Sequence, residues 1–298
     1  MNFLKELLNQ GFLIKEDAVE IIKELNEEKI KKLLEELKKT QTFILSKDII
    51  KKILSSEVEI LKEFEPRKSF SIQEYVKQLN ERYNFLQNIL LKKLELTNVI
   101  SINKRSKGKI SVIGFVKEKK EKDNEFLITL EDPTGDIDIL VKEEDWKKLE
   151  LDDVIAVSGF YSEKLIANKI FYPDIPLRTA SHTKDKILVA FLKDEKECEA
   201  HYKVFFDKVF DNLKNKKIKV KTPAFLKIEN IIILIAPDLD GSELLKKRFV
   251  NLKKTDFLID PIPDILFTNK GEIKNYKGVT IVLPNNIINL KTRDITPI

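Results

Sequence analysis

The chain has 298 residues, of which 42% are hydrophobic and 35% are charged, and its formal net charge is +5. Two or three domains with real cores are therefore possible, with a salt-bridged surface rather than a uniformly basic one. A single cysteine, Cys198, excludes a disulfide framework. Only two histidines are present, which excludes a hydrolytic centre that needs several imidazole ligands on clustered metals.

The N-terminal segment, residues 1–60, is predicted to form a small helical bundle. Apolar residues recur at helical spacing in three runs, which start at Leu4, Ala18 and Ile30. Ser46 is suited to cap a fourth helix, because its hydroxyl can accept a hydrogen bond from an amide of the first turn. The N-terminus carries charges throughout and no long uncharged apolar run occurs, so neither a signal peptide nor a membrane span is expected, and a cytoplasmic location is.

A linker and a long helix are predicted next, over 61–100. The linker covers 57–70, where Pro66 and neighbouring charges interrupt the pattern. The helix covers 71–94, where apolar residues recur close to i, i+3, i+4 and i+7. We expect this helix to pack on the domain that follows.

A five-stranded barrel is predicted within 101–180. Its clearest part is the segment Phe126–Val141, in which apolar residues alternate on both sides of an Asp-Pro-Thr-Gly turn. Gly135 supplies the positive φ that this turn requires, and Gly159 lies inside a strand, where barrels often bend sharply. Five short strands with a helical turn between the third and fourth match the OB-fold.

The last segment, 186–298, is predicted to be a reduced α/β domain. Continuous apolar runs at 187–192 and 231–236 are typical of strands buried on both faces, and 198–213 is interpreted as a helix. Further strand candidates cover 265–268 and 279–283. The fold class is therefore α+β multidomain: an N-terminal helical bundle, an OB barrel and a C-terminal α/β domain.

This order of segments and several phrases resemble the small subunit of archaeal family D DNA polymerases. The phrases are, in chain order, FLKELLNQGFLI, SIQEYVKQLNERY, SVIGFVKEKK, LEDPTGDIDILV, FYPDIP, AFLKDEKE and PDILFTNKGEIKNYKGV. They are collinear and span essentially the whole chain. The resemblance implies an OB domain followed by a metallophosphoesterase-like domain. It also implies a large catalytic subunit as partner, held through both domains.

Active members of that family hold two divalent metals with Asp-x-His, Gly-Asp, Gly-Asn-His-Asp and Gly-His-x-His motifs at strand ends. This sequence departs from the motifs at most of their positions, and the second motif has no counterpart. The corresponding positions are Asp194 and Lys196, then Asp238, Leu239 and Asp240, and finally Lys270 and Glu272. The resemblance therefore predicts an inactive site, with no cofactor.

Two interpretations of the remaining carboxylates stay open. Asp194, Asp238 and Asp240 could converge on one Mg²⁺ ion. Alternatively they are ordinary acidic residues at strand ends and turns, including an Asp-Gly turn at Asp240-Gly241.

A second candidate site is a nucleic-acid surface on the barrel, which would require a basic groove and stacking aromatics. The candidate residues are Lys104, Arg105, Lys107, Lys109, Phe115, Lys117 and Lys119. In the alternative interpretation, the lysines form a solvated hairpin and the aromatics belong to the core. Neighbouring acids weaken the field, so DNA contact is expected to be weak or indirect.

The leading hypothesis is a non-catalytic accessory subunit of a replicative DNA polymerase, which scaffolds the large catalytic subunit. One alternative is a Mn-dependent 3′–5′ exonuclease with a divergent site. Another is a single-strand DNA-binding OB protein. A partner interface is expected among the apolar residues around Phe257, Ile265 and Phe267.

Overall fold

The computed structural model describes residues 3–25, 27–39, 43–54, 58–66, 71–122, 125–252 and 255–298. The predicted linker residues Arg67 and Lys68 lie outside this range. Helices and strands are mixed along the chain, which confirms the α+β class. Within the described residues, no helix has both the length and the apolar character needed to cross a bilayer.

The helices are α1 (Phe3–Asn9), α2 (Glu16–Glu24), α3 (Glu27–Lys39), α4 (Lys47–Leu54), α5 (Ile72–Leu91), α6 (Glu143–Lys148) and α7 (Gly241–Lys247). The strands are β1 (Leu13–Ile14), β2 (Ile44–Leu45), β3 (Val58–Glu63), β4 (Gly108–Lys122), β5 (Glu125–Asp132), β6 (Gly135–Val141), β7 (Val154–Tyr161), β8 (Leu165–Phe171), β9 (Leu188–Phe191), β10 (Tyr202–Val204), β11 (Lys208–Asp211), β12 (Lys216–Lys219), β13 (Ala224–Ile228), β14 (Ile231–Ile235), β15 (Phe249–Leu252), β16 (Thr255–Leu258), β17 (Ile265–Phe267), β18 (Lys274–Tyr276), β19 (Val279–Val282), β20 (Asn286–Asn289) and β21 (Ile295–Pro297).

Four short helices, α1 to α4, are present where the sequence predicts them. Leu7, Ala18 and Leu33 lie in their common core, together with apolar residues of α4. The Ser46 hydroxyl accepts a hydrogen bond from the Ile49 amide at 3.4 Å, as expected for the cap of α4. The sequence analysis missed the short parallel pair of β1 and β2 that connects these helices.

The prediction of a linker over 57–70 is wrong for β3. This strand pairs antiparallel with β13, with Val58 opposite Ile228 and Ile60 opposite Leu226. Val58 and Ile60 pack against the core of the C-terminal sheets, while the intervening Glu59 is exposed. The strand is short, charged and at a sheet edge, so its alternation was hidden among lysines and glutamates.

Helix α5 confirms the predicted helix, although it ends at Leu91 rather than near Leu94. Its start is fixed by a capping box, in which Ser71 and Glu74 bond to each other's backbone amides. Tyr83 and other buried residues of α5 pack on the outside of the barrel strands, and the Tyr83 hydroxyl donates to the Ile113 carbonyl at 3.2 Å.

Strands β4 to β8 pair in the cyclic order β4-β5-β6-β8-β7, which closes a barrel around a core of aliphatic side chains. Asp132 fixes the β5–β6 turn by accepting hydrogen bonds from the amides of Thr134 (2.7 Å) and Gly135 (3.1 Å). Gly159 lies at a register shift between β7 and β8, and a Cβ there would be 2.1 Å from the Ile166 carbonyl oxygen. Only glycine allows this close approach of the two strands.

The C-terminal segment consists mainly of two six-stranded sheets rather than alternating strands and helices. Their orders are β12-β11-β10-β9-β20-β21 and β18-β19-β17-β14-β13-β3. The sheets face each other across a shared core, where the Phe191 ring stacks on the Phe267 ring at 4.5 Å. Within described residues of 186–298, the single α-helix is α7, which covers the outer face of the second sheet beside the β15–β16 hairpin.

The helix predicted over 198–213 is wrong, because β10 and β11 form an antiparallel pair there. Tyr202 and Val204 face the core between the sheets, whereas Phe205 lies on the other side. The aromatic and β-branched residues in this stretch favour strands. A tight turn between two short strands placed its apolar residues at apparent helical spacing.

Buried and ionic contacts join the barrel to the two sheets. Arg82 of α5 is 1% exposed and donates to Asp256 of β16 at 3.0 Å. The guanidinium lies between the rings of Phe115 on β4 and Phe249 on β15, at 5.1 and 4.6 Å from their centroids. This contact brings the helix, barrel and C-terminal hairpin together in one place.

Candidate functional site

The loops that follow β14 and β17 lie side by side, because these two strands are parallel neighbours in the second sheet. Asp240 and Lys270 form a backbone bridge between the loops. The Asn269 side chain joins them as well, since it donates to the Asp238 carboxylate at 2.9 Å and accepts from the Asp238 amide at 2.6 Å. The structure therefore brings together the positions of the third and fourth motifs.

The carboxylate of Asp240 is engaged as the N-cap of α7. Its Oδ1 accepts hydrogen bonds from the amides of Ser242 (3.0 Å) and Glu243 (3.1 Å) and from the Ser242 hydroxyl (2.6 Å). Partial burial opposes ionisation, but these hydrogen bonds outweigh it and lower the pKa of Asp240. The residue is a helix cap rather than part of the predicted Asp-Gly turn.

The first-motif positions lie elsewhere. Asp194 and Lys196 are exposed residues that follow β9, a strand of the other sheet. Lys196 lines a separate cavity of about 300 Å³, and its carbonyl accepts from Lys203 at 3.3 Å. Neither residue lines the cleft that contains Asp238 and Asp240. The convergence of Asp194 with those two aspartates is not found.

That cleft has a volume of about 720 Å³ and lies between the barrel loop 147–153 and the loops after β14 and β17. Lys247 of α7 bridges its walls, with ion pairs to Asp153 at 3.0 Å and to Glu150. Lys270 adds another ammonium group to the lining, and Leu239 stands where the family motif has histidine. Glu272 is exposed and is not among the lining residues.

The donors in this cleft do not fit a two-metal centre. Across the described part of the chain, no group of three or more histidine, cysteine, aspartate or glutamate side chains is placed to hold a metal ion. Imidazole ligands are missing from the cleft lining, and a lysine ammonium would repel a cation.

A second cavity, of about 530 Å³, lies on the outside of the barrel, against β4, β5, β6 and the β7–β8 turn. Its cationic residues are Arg105, Lys117, Lys120 and Lys164, and its acidic residues are Glu118, Asp136, Asp138 and Glu163. Lys117 pairs with Asp136 at 2.7 Å, and Lys120 pairs with Glu118 at 2.6 Å. Phosphate binding here would compete with existing ion pairs.

The predicted nucleic-acid residues are only partly brought together. Arg105 and Lys117 line this groove, and Arg105 also donates to the Asp136 carbonyl at 2.8 Å. Lys119 is held by the Leu149 carbonyl at 2.6 Å and lies 4.3 Å from the Trp146 ring centroid. The exposed lysines outside the groove are Lys104, Lys107 and Lys109.

Phe115 is not available to stack on a base. It packs against Tyr83 of α5 at 5.4 Å between ring centroids and against the Arg82 guanidinium. The expected apolar interface in the C-terminal segment is also wrong, because Phe257 is 2% exposed and Ile265 and Phe267 are fully buried. The sequence gave no signal for Arg82, whose partner Asp256 is 174 positions away.

Comparison with known proteins places the chain beside DNA polymerase subunits, although no model of a protein family matches it. Five curated relatives match, each called DNA polymerase II small subunit. The Pyrococcus abyssi protein is 32% identical over 117 residues, which are 36% of this chain and 19% of that protein. The Methanothermobacter thermautotrophicus protein is 34% identical over 136 residues, 42% of this chain and 28% of that protein. The chain thus spans less than a third of the length of the curated relatives it matches, and the predicted resemblance to archaeal small subunits is confirmed.

Among solved structures, short segments of the chain match three proteins with low scores. An asparaginyl-tRNA synthetase from Pyrococcus horikoshii is 18% identical with a TM-score of 0.21, over 22% of this chain and 19% of that one. OBody AM1L10 bound to hen egg-white lysozyme is 11% identical with a TM-score of 0.21, over 22% of this chain and 78% of that one. A Replication Protein A heterotrimer bound to ssDNA is 13% identical with a TM-score of 0.20, over 24% of this chain and 61% of that one.

Proposed function

We propose that this chain is a non-catalytic accessory subunit of an archaeal replicative DNA polymerase, in which it scaffolds the large catalytic subunit. The similarity to curated small subunits from several archaea supports this function. Under the proposal, the chain works in the cytoplasm as part of a polymerase complex and makes no chemical step of its own.

The observation that carries the inactive assignment is the use made of the motif residues. Asp240 caps α7, Asp238 is tied to Asn269, and Lys270 lines the same cleft. A two-metal phosphoesterase needs its carboxylates and imidazoles free to bind cations. Here the carboxylate that remains is engaged in structural hydrogen bonds.

We assign the barrel over 101–180 to the OB-fold class, with a weak or indirect role in DNA binding. The ion pairs in its groove support the weak role, since each phosphate contact would have to displace an internal partner. We assign 1–60 and 61–100 as the helical module and its connection to the barrel, and 186–298 as the degenerate phosphoesterase-like domain. Strand β3 belongs to the second sheet of this last domain.

The test is co-expression with the large polymerase subunit of the same genome, followed by affinity purification through a tag on this chain. The proposal expects a stable complex and no Mn²⁺-dependent release of nucleotides by this chain alone. Failure to co-purify would refute the scaffold function. Nuclease activity that disappears in both Asp194→Ala and Asp240→Asn would refute the inactive site and support the exonuclease alternative.

A further inference from the structure

Four apolar residues form a continuous row across the outside of the barrel. The register pairs Leu127 with Leu140, Leu140 with Ile166, and Ile166 with Phe160. They therefore lie on the neighbouring strands β5, β6, β8 and β7 in turn, and we call them the outer row. Adjacent strands are about 4.8 Å apart, so the outer row extends about 14 Å across the surface.

The outer row faces away from the barrel core. Its chain neighbours Ile128, Ile139 and Leu165 are buried in that core, and successive residues of a strand point to opposite faces. Phe160 is 55% exposed and Ile166 is 48% exposed. The hydrophobic clusters of the described residues include none of the four outer-row residues.

Helix α5 does not cover the outer row, because it packs on another part of the barrel exterior. Its partners there include Ile113, Val154 and Ala156. The outer row is therefore an apolar surface with no described partner inside the chain. A contiguous apolar stripe of this kind on a water-soluble barrel indicates a contact surface for another molecule.

The edge of the outer row nearer the strand ends is basic. Lys109 lies opposite Phe160, and Lys120 lies opposite Leu127. Three exposed lysines lie one step further toward that end of the barrel: Lys122, Lys142 and Lys164. The acidic residue among them, Glu125, is already paired with Lys164 at 3.7 Å.

We propose that the outer row binds a protein segment that presents apolar side chains along one face and carboxylates along one edge. The apolar side chains would cover Phe160 and Ile166, and the carboxylates would meet the lysine rim. The assignment rests on the proposed function, which makes the large polymerase subunit the source of this segment. Three of the four residues are aliphatic, so the surface lacks the successive aromatic platforms that single-stranded nucleic acid uses.

The apolar part is tested by measuring the affinity of the purified chain for the large subunit by surface plasmon resonance. The double variant Phe160→Ser, Ile166→Ser is expected to bind about 10-fold more weakly or worse, because both residues lie at the centre of the contact. Leu177→Ser is the matched control, since Leu177 is 85% exposed and lies outside the outer row, and it should change affinity less than about 2-fold. Unchanged circular dichroism and unfolding midpoints exclude misfolding.

The charged part is tested with Lys122→Glu, Lys142→Glu, against Lys184→Glu as an exposed lysine outside the rim. The double variant should associate about 10-fold more slowly at low salt and lose its salt dependence, whereas the control should not. Wild-type affinity in both double variants would overturn the docking site while leaving the proposed function intact. A wild-type chain that fails to bind the large subunit would overturn both. Self-association, or binding of an oligo-dT, that is lost in the apolar variant would also overturn the assignment.

Discussion

The ion pair between Arg82 and Asp256 gives the sharpest stability prediction. Both side chains are almost fully buried, at 1% and 4% exposure, and their charged atoms are 3.0 Å apart. Asn251 donates a further hydrogen bond to the same carboxylate oxygen at 2.8 Å. Replacing Asp256 with alanine would leave a guanidinium buried between two phenylalanine rings with no anion beside it. We expect a loss of about 3–5 kcal/mol in the free energy of unfolding.

The matched variant is the double replacement Arg82→Met, Asp256→Leu. Among the described residues, Nε and Nη2 of Arg82 and Oδ2 of Asp256 have no hydrogen-bond partner, so the ions are incompletely compensated. Apolar side chains of similar volume are therefore expected to be neutral or stabilising by about 1–4 kcal/mol. Urea unfolding, followed by fluorescence and circular dichroism, measures both variants. An Asp256→Ala variant within about 1 kcal/mol of wild type would refute the reasoning.

Three further outcomes are expected from the same measurement. Asp240→Ala should cost about 1 kcal/mol at pH 7, as the loss of a helix cap does. Because the folded pKa of Asp240 is lowered, this contribution is present above the unfolded pKa of about 3.9 and is lost as the pH falls through the folded value, so the variant and wild type should converge in acid; a constant difference down to strong acid would contradict the cap. Gly159→Ala should cost more than about 2 kcal/mol, because its Cβ would meet the Ile166 carbonyl at 2.1 Å, and a neutral result would contradict the close strand approach. Ile60→Asp should cost about 2 kcal/mol while the neighbouring, exposed Leu61→Asp costs less than about 0.5, and equal effects would mean that β3 does not dock as described.

Local signals predicted the segments in which period and caps agree. Helix α5 has both an apolar repeat and the Ser71 capping box, and the β5–β6 hairpin has alternation around a Pro-Gly turn. The helix predicted over 198–213 failed because the spacing of its aromatic residues fits both a helix and a tight pair of strands. Only pairing with β9, which is remote from local pattern, selects the strands.

The candidate site was predictable in the same uneven way. Asp238, Asp240 and Lys270 follow two buried apolar runs, so their meeting at one sheet edge follows from parallel strands. Asp194 follows a similar run, but that run lies in the opposite sheet, which no local pattern specifies. The outer row likewise depends on register between four strands, although each strand shows only ordinary alternation.

The position of β3 has a consequence for how the chain is assembled during synthesis. This strand leaves the ribosome before the barrel, yet its partner β13 begins only at Ala224. The whole barrel is therefore interposed within a single sheet, and the edge it completes must wait, unpaired, while more than half of the chain is made. Pairing of such distant segments is slow, and an unpaired apolar edge is prone to aggregation. Truncating the protein before Val58 to isolate the barrel and the sheets would remove a structural strand of the last domain rather than a dispensable leader.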